Sequence, residues 1–221
     1  MNLGRPRAVP YTDHPEGLTG IDKRPVDGPV RVAAPGSKGI GASGLAGDAV
    51  CETRHHGGDD QAVYAMARED LDEWERTLGR PLRNGSFGEN LTTEGVDVSG
   101  ALIGERWAVG SEVVLEVTSG RIPCRTFQGH MGEERWVKRF TERGAPGAYL
   151  RVIRPGEIRA GDTVRIVHRP DHDVTVALQF RAVTTERALL PRLPAAGGAL
   201  HPEALAMARA YVEKYGAGTE A

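Results

Sequence analysis

Short stretches rich in Val and Ile, bounded by Gly and Pro, recur along the chain and are typical of β-strands. In residues 113–118 the apolar side chains fall at every second position, which puts them on one face of a strand. Similar stretches predict strands at 29–33, 149–153 and 163–167. The last two flank a Pro-Gly turn, which predicts that they pair with each other. The whole pattern predicts a mainly β fold, and the turns before the strands favour a closed β-barrel.

Apolar residues spaced three or four apart predict a long helix over residues 61–78. An aspartate at position 59 or 60 is a suitable N-cap, and Gly79 followed by Pro81 is a suitable stop. Further helices are predicted near residues 134–142, 175–182, 185–190 and 202–215. The last three are rich in Ala, Leu and Arg. The sequence therefore predicts peripheral helices around the barrel and a small C-terminal helical appendage.

These patterns divide the chain into an N-terminal extension (1–18), a β-barrel domain (19–168) and a C-terminal helical segment (169–221). Within the barrel domain, the Gly-rich residues 36–47 are predicted to form a flexible loop. The sequence leaves open whether the part from Gly36 to Gly44 covers a binding pocket.

The chain of 221 residues has a formal net charge of −2, from 28 basic and 30 acidic residues. This balance gives no electrostatic reason to expect a nucleic-acid polymer or an anionic membrane as a partner. No apolar run approaches the roughly 20 residues that a membrane span requires, and the N-terminus lacks the apolar centre of a secretory signal. We therefore expect a cytoplasmic protein without membrane contact.

Cys124 is the strongest candidate for chemistry. It lies between Arg121 and Arg125, and positive charge favours the thiolate that binds soft metals or attacks electrophiles. Pro123 restrains the backbone directly before the thiol, as expected where a side chain must be held in one direction. The alternative is a buried structural thiol, because free cysteine packs as a small hydrophobe.

The second cysteine, Cys51, lacks this context. It lies in residues 48–53, which are predicted to form a strand, and we expect it to be a packing residue. A single disulfide adds little to an intracellular protein of this size, so both thiols are expected to be reduced.

The stretch Arg54-His55-His56-Gly57-Gly58 combines positive charge, two histidines and two glycines. In an extended segment the two histidines point to opposite faces, and no further motif completes a zinc site. The functional interpretation is an anion site: Arg54 and one histidine supply charge, the glycines let backbone amides approach a phosphate, and a following helix presents its N-terminus. An equally good alternative is a strand-to-helix turn with a buried histidine.

The loop from Phe87 to Leu91 places Gly88 beside Glu89 and Asn90, whose side chains can hydrogen-bond to the edges of a heterocycle. An ordinary loop with an Asx turn is an equally good interpretation. Glu89 could act as a general base, but no partner carboxylate lies at a useful spacing. No Gly-x-Ser-x-Gly, P-loop or dinucleotide motif is present, which argues against a serine hydrolase and against nucleotide-driven or nicotinamide chemistry.

Several motifs occur together in one order, at residues 19–26, 44–48, 54–58, 87–91, 103–107 and 121–124. With these residues the chain resembles the MOSC family, the domain found at the C-terminus of molybdenum-cofactor sulfurases and as stand-alone proteins. The segment after Asp173 is similar to the three-helix tail of the stand-alone bacterial branch that confers resistance to N-hydroxylated purine analogues.

The resemblance implies a MOSC-type β-barrel that binds the pterin-based molybdenum cofactor. Cys124 lies at the position of the family's invariant cysteine, which implies that it is the molybdenum ligand and the catalytic residue. The candidate cofactor-binding residues are Lys23, Arg54, His55, His56, Gly57, Phe87, Gly88, Glu89, Asn90, Leu91 and Arg121. A thiolate is a suitable soft ligand, and cationic side chains suit the phosphate of the cofactor.

The activity that the resemblance implies is a two-electron reduction of N-hydroxylated bases or related compounds, from N–OH to N–H, with oxygen leaving as water. No flavin or iron–sulfur motif is present, so the electrons are expected to come from a separate reductase protein. Two alternatives stay open: a non-catalytic carrier of the cofactor or of sulfur on Cys124, and a cofactor-free thiol enzyme with His55 or His56 as base. The oligomeric state is open as well, with a homodimer as one alternative.

Overall fold

A curled six-stranded sheet dominates the computed structural model, which describes residues 1–12 and 14–215. The strands of the molecule are β1 (Asn2–Leu3), β2 (Arg7–Ala8), β3 (Leu18–Thr19), β4 (Arg24–Pro25), β5 (Val30–Val32), β6 (Val63–Ala67), β7 (Leu91–Thr93), β8 (Arg106–Val109), β9 (Val113–Gly120), β10 (Ala148–Arg154), β11 (Gly156–Ile158) and β12 (Val164–His168). The order in the main sheet is β12-β8-β9-β10-β6-β7. Its outer strands do not pair with each other within the described residues, so the sheet is a half-barrel. The prediction of a mainly β fold with peripheral helices is confirmed.

The long strand β9 lies at the centre of the half-barrel. Val113, Leu115 and Val117 are fully buried, as their alternation predicts. The opposite face is also covered, because Glu116 accepts a hydrogen bond of 2.7 Å from Arg106 Nε on the neighbouring strand β8. The buried carboxylate of Glu116 is therefore compensated by the hydrogen bond from Arg106.

The predicted pairing of residues 149–153 with 163–167 is wrong. Both segments are strands, but β10 pairs with β9 and β6, whereas β12 pairs with β8 on the other side of β9. The Pro-Gly turn instead leads from β10 into β11, which pairs with β5 in the predicted strand at 29–33. A turn signal marks a change of direction, but it does not specify which strand becomes the neighbour.

The first residues of the chain are built into the fold. Two short antiparallel ribbons, β1 with β4 and β2 with β3, hold them. Asn2 is fully buried; its backbone N–H donates to the Asn90 carbonyl at 2.7 Å, and its Nδ2 donates to Thr92 Oγ1 at 3.0 Å. The N-terminus therefore helps to position the loop that leads into β7.

The helices are α1 (Arg68–Leu78), α2 (Arg125–Met131), α3 (Trp136–Arg143), α4 (Val176–Thr184) and α5 (Pro202–Tyr215), with 3₁₀ segments at Asp59–Gln61 and Arg187–Ala199. The helices predicted near 134–142, 175–182 and 202–215 are confirmed, and the one near 185–190 is part of a 3₁₀ segment. None of the helices in the described part of the chain is long and apolar enough to cross a membrane.

The helix predicted over 61–78 is correct only in its second part. Of its first part, the five residues Val63–Ala67 form the buried strand β6 between β10 and β7. A short run of apolar residues fits a fully buried strand as well as a helix, so spacing alone did not separate the two. Gly79 ends α1 in a left-handed conformation, as predicted, whereas Asp59 and Asp60 lie in a 3₁₀ segment and do not cap α1.

A set of aromatic side chains from α1 to α4 and the loop before β7 forms a separate hydrophobic core beside the sheet. This aromatic cluster consists of Trp74, Phe87, Phe127, Trp136, Phe140 and Phe180. Contacting ring centroids lie 4.5 to 6.4 Å apart, which is the range in which aromatic pairs attract each other. The cluster joins four helices and the loop into one rigid unit.

The C-terminal helical segment packs on the main core. Leu190, Leu193 and Ala208 are fully buried and share a hydrophobic cluster with residues of β9 and β10. Thr175 caps α4 by accepting a hydrogen bond of 3.0 Å from Leu178 N. The predicted segment runs to residue 221, and residues 216–221 lie outside the described part.

Candidate active site

A pocket of about 540 Å³ opens beside the end of β9. Most of its lining comes from the segments before β4, between β5 and β6, and after β9. Residues of β6, β10, the loop before β7 and α5 complete it. Nine of the predicted site residues line it: Lys23, Arg54, His55, His56, Gly57, Gly88, Asn90, Arg121 and Cys124. A volume of this size suits a small-molecule ligand or a cofactor.

Cys124 lies between the pocket and the aromatic cluster. The residue is half-buried, directly precedes α2, and packs against the cluster while it lines the pocket. Its carbonyl accepts the first hydrogen bond of α2, from Gln128 N at 3.0 Å. The thiol is thus presented to the pocket from a helix start that the aromatic cluster holds in place.

Cys51 also lines the pocket, which its sequence context did not indicate. Residues 48–53 form no strand, and the chain bends at Cys51, so the predicted strand there is wrong. The thiol is half-buried; burial raises the pKa of Cys51, and the charge of Lys23 acts in the opposite direction. Neither cysteine forms a disulfide.

Arg121 carries a buried positive charge into the pocket. Its side chain packs with the guanidinium carbon 3.8 Å from the centroid of the Phe127 ring and 5.3 Å from that of Tyr64. Nη1 donates a hydrogen bond to the Phe87 carbonyl. The residue is only 6% exposed, and no carboxylate forms an ion pair with it within residues 1–12 and 14–215. A buried charge without a counter-ion is costly, so this group is suited to an anionic ligand.

Arg121 and the ionisable side chains around it affect one another's pKa values. Burial acts to lower the pKa of Arg121, but Tyr64, Tyr149 and Cys124 raise it above its ordinary value. Burial raises the pKa of Tyr149, and Arg121 only partly offsets that effect. The Arg121 guanidinium therefore stays charged.

Tyr64 and Tyr149 form a wall of the pocket that the motifs did not identify. They face each other across the β6–β10 pair, with ring centroids 5.1 Å apart. The Tyr64 hydroxyl donates to the Pro146 carbonyl at 2.8 Å. Burial raises the pKa of both phenols, so both are protonated at neutral pH. Tyr64 was hidden inside the stretch that was predicted as a helix.

Lys23 and Asn90 line the pocket, but a buried network engages both. Asp48 forms an ion pair with Lys23 Nζ and accepts hydrogen bonds from Ser43 Oγ at 2.6 Å and from Asn90 Nδ2 at 2.9 Å. Asn90 Oδ1 accepts from Tyr64 N at 3.1 Å. The Asn90 amide is thus used to hold the wall together, rather than left free for a heterocycle.

The segment around Arg54 turns, and the turn brings both His55 and His56 to the pocket. Arg54 is exposed and forms a bidentate pair with Glu52, with contacts of 3.0 and 2.8 Å. Burial, reinforced by the charges of Arg121 and Lys38, lowers the pKa of His56 to about 4. His56 is therefore neutral at physiological pH and contributes no charge to an anion site.

Gly57 and Gly58 have a different role from the one predicted. Both have positive φ angles, of 77° and 79°, and a Cβ on Gly57 would lie 2.3 Å from the Ala42 carbonyl oxygen. Gly58 N donates to the same carbonyl at 3.1 Å. The glycines thus let the loop 36–44 pack closely, and the helix predicted to follow them is only the 3₁₀ segment Asp59–Gln61.

Phe87, Glu89 and Leu91 lie outside the lining. Phe87 belongs to the aromatic cluster, and Leu91 is a buried residue of β7. Glu89 is fully buried, where its carboxylate accepts hydrogen bonds from Phe87 N at 2.9 Å and Thr92 Oγ1 at 2.8 Å. Gly88 does line the pocket, and a Cβ there would lie 3.1 Å from the Ile21 side chain. This loop therefore supports the pocket wall mainly through buried residues that do not line the pocket.

Two elements that carried no motif complete the entrance. Lys38, in the loop 36–44, and Glu203, in the first turn of α5, both line the pocket and form an ion pair of 2.6 Å. The C-terminal segment thus contributes directly to the site. The loop 36–44 therefore reaches the pocket, a point that the sequence alone left open.

The charges of the lining nearly balance. Among the lining residues that the structure describes, four cations (Lys23, Lys38, Arg54 and Arg121) face three carboxylates (Asp48, Glu52 and Glu203), and each carboxylate pairs with one of the first three. Within this described set, one positive charge is left, on Arg121. No group of three or more His, Cys, Asp or Glu in the described residues could hold a metal ion, so a metal here would need ligands beyond the protein side chains.

Comparison with known proteins defines the class. The MOSC domain model matches residues 52–165. The chain is 32% identical to the uncharacterized protein YflK of Bacillus subtilis over 181 residues, which is 82% of this chain and 77% of YflK. It is 31% identical over 159 residues to a protein of Gibberella moniliformis named Reductase, covering 70% of this chain and 27% of that protein. The crystal structure of YiiM from Geobacillus stearothermophilus matches with a TM-score of 0.74 and 25% identity, over 95% of both chains.

This chain belongs to the MOSC domain family, which is known for binding the molybdenum cofactor. Its relatives include stand-alone proteins of similar length, so the predicted resemblance to the stand-alone bacterial proteins of the family is confirmed.

Proposed function

We propose that the chain binds a molybdenum–pterin cofactor in this pocket and reduces N-hydroxylated bases or related N-oxygenated compounds. One observation carries the proposal: the Cys124 thiol lines the same pocket as the buried Arg121 guanidinium, which lacks a carboxylate partner within the described residues. Membership of a family that binds the molybdenum cofactor supports the choice of ligand. The name of the fungal relative, Reductase, supports the class of reaction.

The residues present fit such a cofactor. A thiolate is a soft ligand, and the absence of a protein metal cluster in the described residues agrees with a metal whose other ligands come from the pterin. The free charge of Arg121 suits an anionic group of the cofactor, and a buried site strengthens that attraction. The volume of about 540 Å³ leaves room for a bound ligand.

The protein residues have separate tasks. Cys124 would hold the metal, and Arg121 would orient an anionic group of the cofactor. Tyr64 and Tyr149 would form an apolar wall with protonated hydroxyls. Lys23 is buried in its network with Asp48 and would keep that wall in place.

The cofactor, when bound, supplies the redox chemistry, and the chain positions the substrate and excludes water. The overall reaction takes two electrons and two protons, breaks the N–O bond, and yields N–H and water. Solvent supplies the protons. We propose that a separate reductase protein supplies the electrons, because the chain has no flavin or iron–sulfur motif.

A direct assay tests this function. Protein purified without oxygen from a host that makes the cofactor, supplied with reduced methyl viologen, is expected to convert hydroxylaminopurine into adenine. Cys124→Ser should abolish the conversion, whereas Glu142→Gln, on the outer face of α3, should not. Cofactor-loaded protein that leaves hydroxylaminopurine unchanged would rule out the reductase; if it passes its cofactor to an acceptor enzyme, the protein is a carrier.

A further inference from the structure

The three ion pairs of the lining differ in what they connect. Lys23–Asp48 is buried, with side chains only 8% and 1% exposed, and belongs to the wall. Arg54–Glu52 joins residues two positions apart in one turn. Lys38–Glu203 is the only one of the three that joins two distant elements, the loop 36–44 and α5, which are 165 positions apart in the chain.

The Lys38–Glu203 pair also lies at the outer end of the pocket. Its side chains are 28% and 71% exposed, whereas Arg121 at the inner end is only 6% exposed. The hydrogen bond from Lys38 is the main cause that lowers the pKa of Glu203. A ligand that enters past this face meets Lys38 before it reaches Arg121.

Both partners are held by their own element. The loop with Lys38 is fastened by Gly39 N, which donates to the Thr53 carbonyl at 3.1 Å, and by the contact of Ala42 with Gly57. Glu203 lies at the start of α5, where its N–H donates to His201 Nδ1 at 3.3 Å. The backbones of the two elements therefore bring the two charges together. If one charge is removed by substitution, the other stays in place.

We propose that Glu203 is a specificity-determining residue: it neutralises Lys38 at the entrance, so that anionic small molecules gain less attraction there than an unpaired Lys38 would give them. While Glu203 is present, an anion that Arg121 attracts has to compete with the Glu203 carboxylate for contact with Lys38. For the proposed reaction this favours a free N-hydroxylated base over its nucleotide. The statement about substrates rests on the proposed function, whereas charge selection at the entrance does not.

The two partners have opposite electrostatic effects. Removal of the Glu203 charge leaves Lys38 unpaired, so the entrance gains positive charge and attracts anions. Removal of the Lys38 charge leaves Glu203 unpaired, so the entrance repels them. A purely steric barrier would respond in the same direction to both changes. The size expected is roughly two- to fivefold in rate, because exposed ion pairs interact weakly.

The Cys124 thiol reports entry without cofactor or turnover. We would measure its alkylation rate with iodoacetamide, which is uncharged, and with iodoacetate, which is anionic, by mass spectrometry of the peptide that carries Cys124. The ratio of iodoacetate to iodoacetamide rates cancels changes in the reactivity of the thiol. We expect the ratio to rise about two- to fivefold in Glu203→Gln and to fall about as much in Lys38→Met, and both changes to shrink in 0.5 M salt.

The matched control is Glu142→Gln, which breaks the exposed Lys138–Glu142 pair of α3 and should leave the ratio unchanged. Thermal unfolding shows whether each variant is folded. An unchanged ratio in both folded entrance variants, or a change of the same sign, overturns the proposal even if the protein reduces hydroxylaminopurine. Conversely, opposite shifts in a protein without reductase activity uphold the entrance and reject the proposed function.

Discussion

The pocket and the aromatic cluster meet at Arg121, yet they are built in opposite ways. The cluster consists of fully or almost fully buried rings that contact one another, so its residues serve stability. The pocket keeps a half-buried thiol, an exposed ion pair and a buried charge that has no carboxylate partner among the described residues, none of which stabilises a fold strongly. Stability and binding are therefore carried by separate sets of residues, which meet where Arg121 packs on Phe127 and where Cys124 packs against the cluster.

The largest effect should come from the cluster. Phe140→Ala removes a fully buried ring that contacts five other aromatic side chains, and we expect the free energy of unfolding to fall by about 3 to 5 kcal/mol. Phe140→Leu, which leaves a smaller cavity, should lose less. Urea unfolding measures both. A loss below about 1 kcal/mol for the alanine variant would show that the cluster is not the stabilising unit.

The next effect depends on pH. Since the pKa of His56 is lowered to about 4 in the folded protein, the unfolded chain binds its proton first, near pH 6.5. Above pH 6.5, His56 is neutral in the folded and the unfolded state and does not affect stability. As pH falls from 6.5 towards 4, the free energy of unfolding decreases by at most about 3 kcal/mol. We expect His56→Gln to reduce the decline in unfolding free energy between pH 7 and 5. Parallel pH profiles for the two proteins would contradict this.

Arg121→Met should separate binding from stability. Arg121 has no counter-ion in the part of the chain that the structure describes, so removal of its buried charge should change the free energy of unfolding by less than about 1 kcal/mol. Loss of a charge-assisted contact should weaken cofactor binding by roughly 10- to 100-fold. Pterin fluorescence of the purified protein and urea unfolding measure the two quantities.

Arg68→Met is the matched control for this change. Arg68 lies outside the pocket and is fully paired, with contacts of 2.7 Å to both Asp72 and Glu75. It should lose stability and keep the cofactor. If Arg121→Met unfolds the protein while Arg68→Met does not, the division between the two regions is wrong.

The smallest effect should be at the pocket rim. Arg54 is 68% exposed and, among the described residues, forms an ion pair with its neighbour Glu52 alone, so Arg54→Ala should leave the free energy of unfolding almost unchanged. Urea unfolding tests this as well. A clear shift of the unfolding midpoint to a lower urea concentration would show that Arg54 has a structural role.

Sequence patterns predicted the parts of this molecule in which local periodicity decides the structure. The alternation in β9 and the capping glycine of α1 belong to this group. The patterns failed at β6, because its five apolar residues are buried on both sides and the neighbouring strands come from distant segments. Pairing of β10 and β12 failed for the same reason.

The site shows the same limit. Lys38, Tyr149 and Glu203 reach the pocket from three separate elements, and none carries a local motif that marks it. The glycines at 57 and 58 were recognised as special, but their function is to admit the loop 36–44, which a sequence cannot place. Asn90 was recognised as a directional group, and only the fold shows that its amide is already satisfied.

The central claim is that Cys124 holds a molybdenum cofactor in this pocket. The most direct measurement is the molybdenum and pterin content of protein purified without oxygen from a cofactor-producing host, with wild type beside Cys124→Ser and with Cys51→Ser as the second thiol variant. We expect stoichiometric molybdenum in the wild type and in Cys51→Ser, and none in a folded Cys124→Ser. Equal molybdenum in all three proteins, or none in the wild type, would contradict the claim.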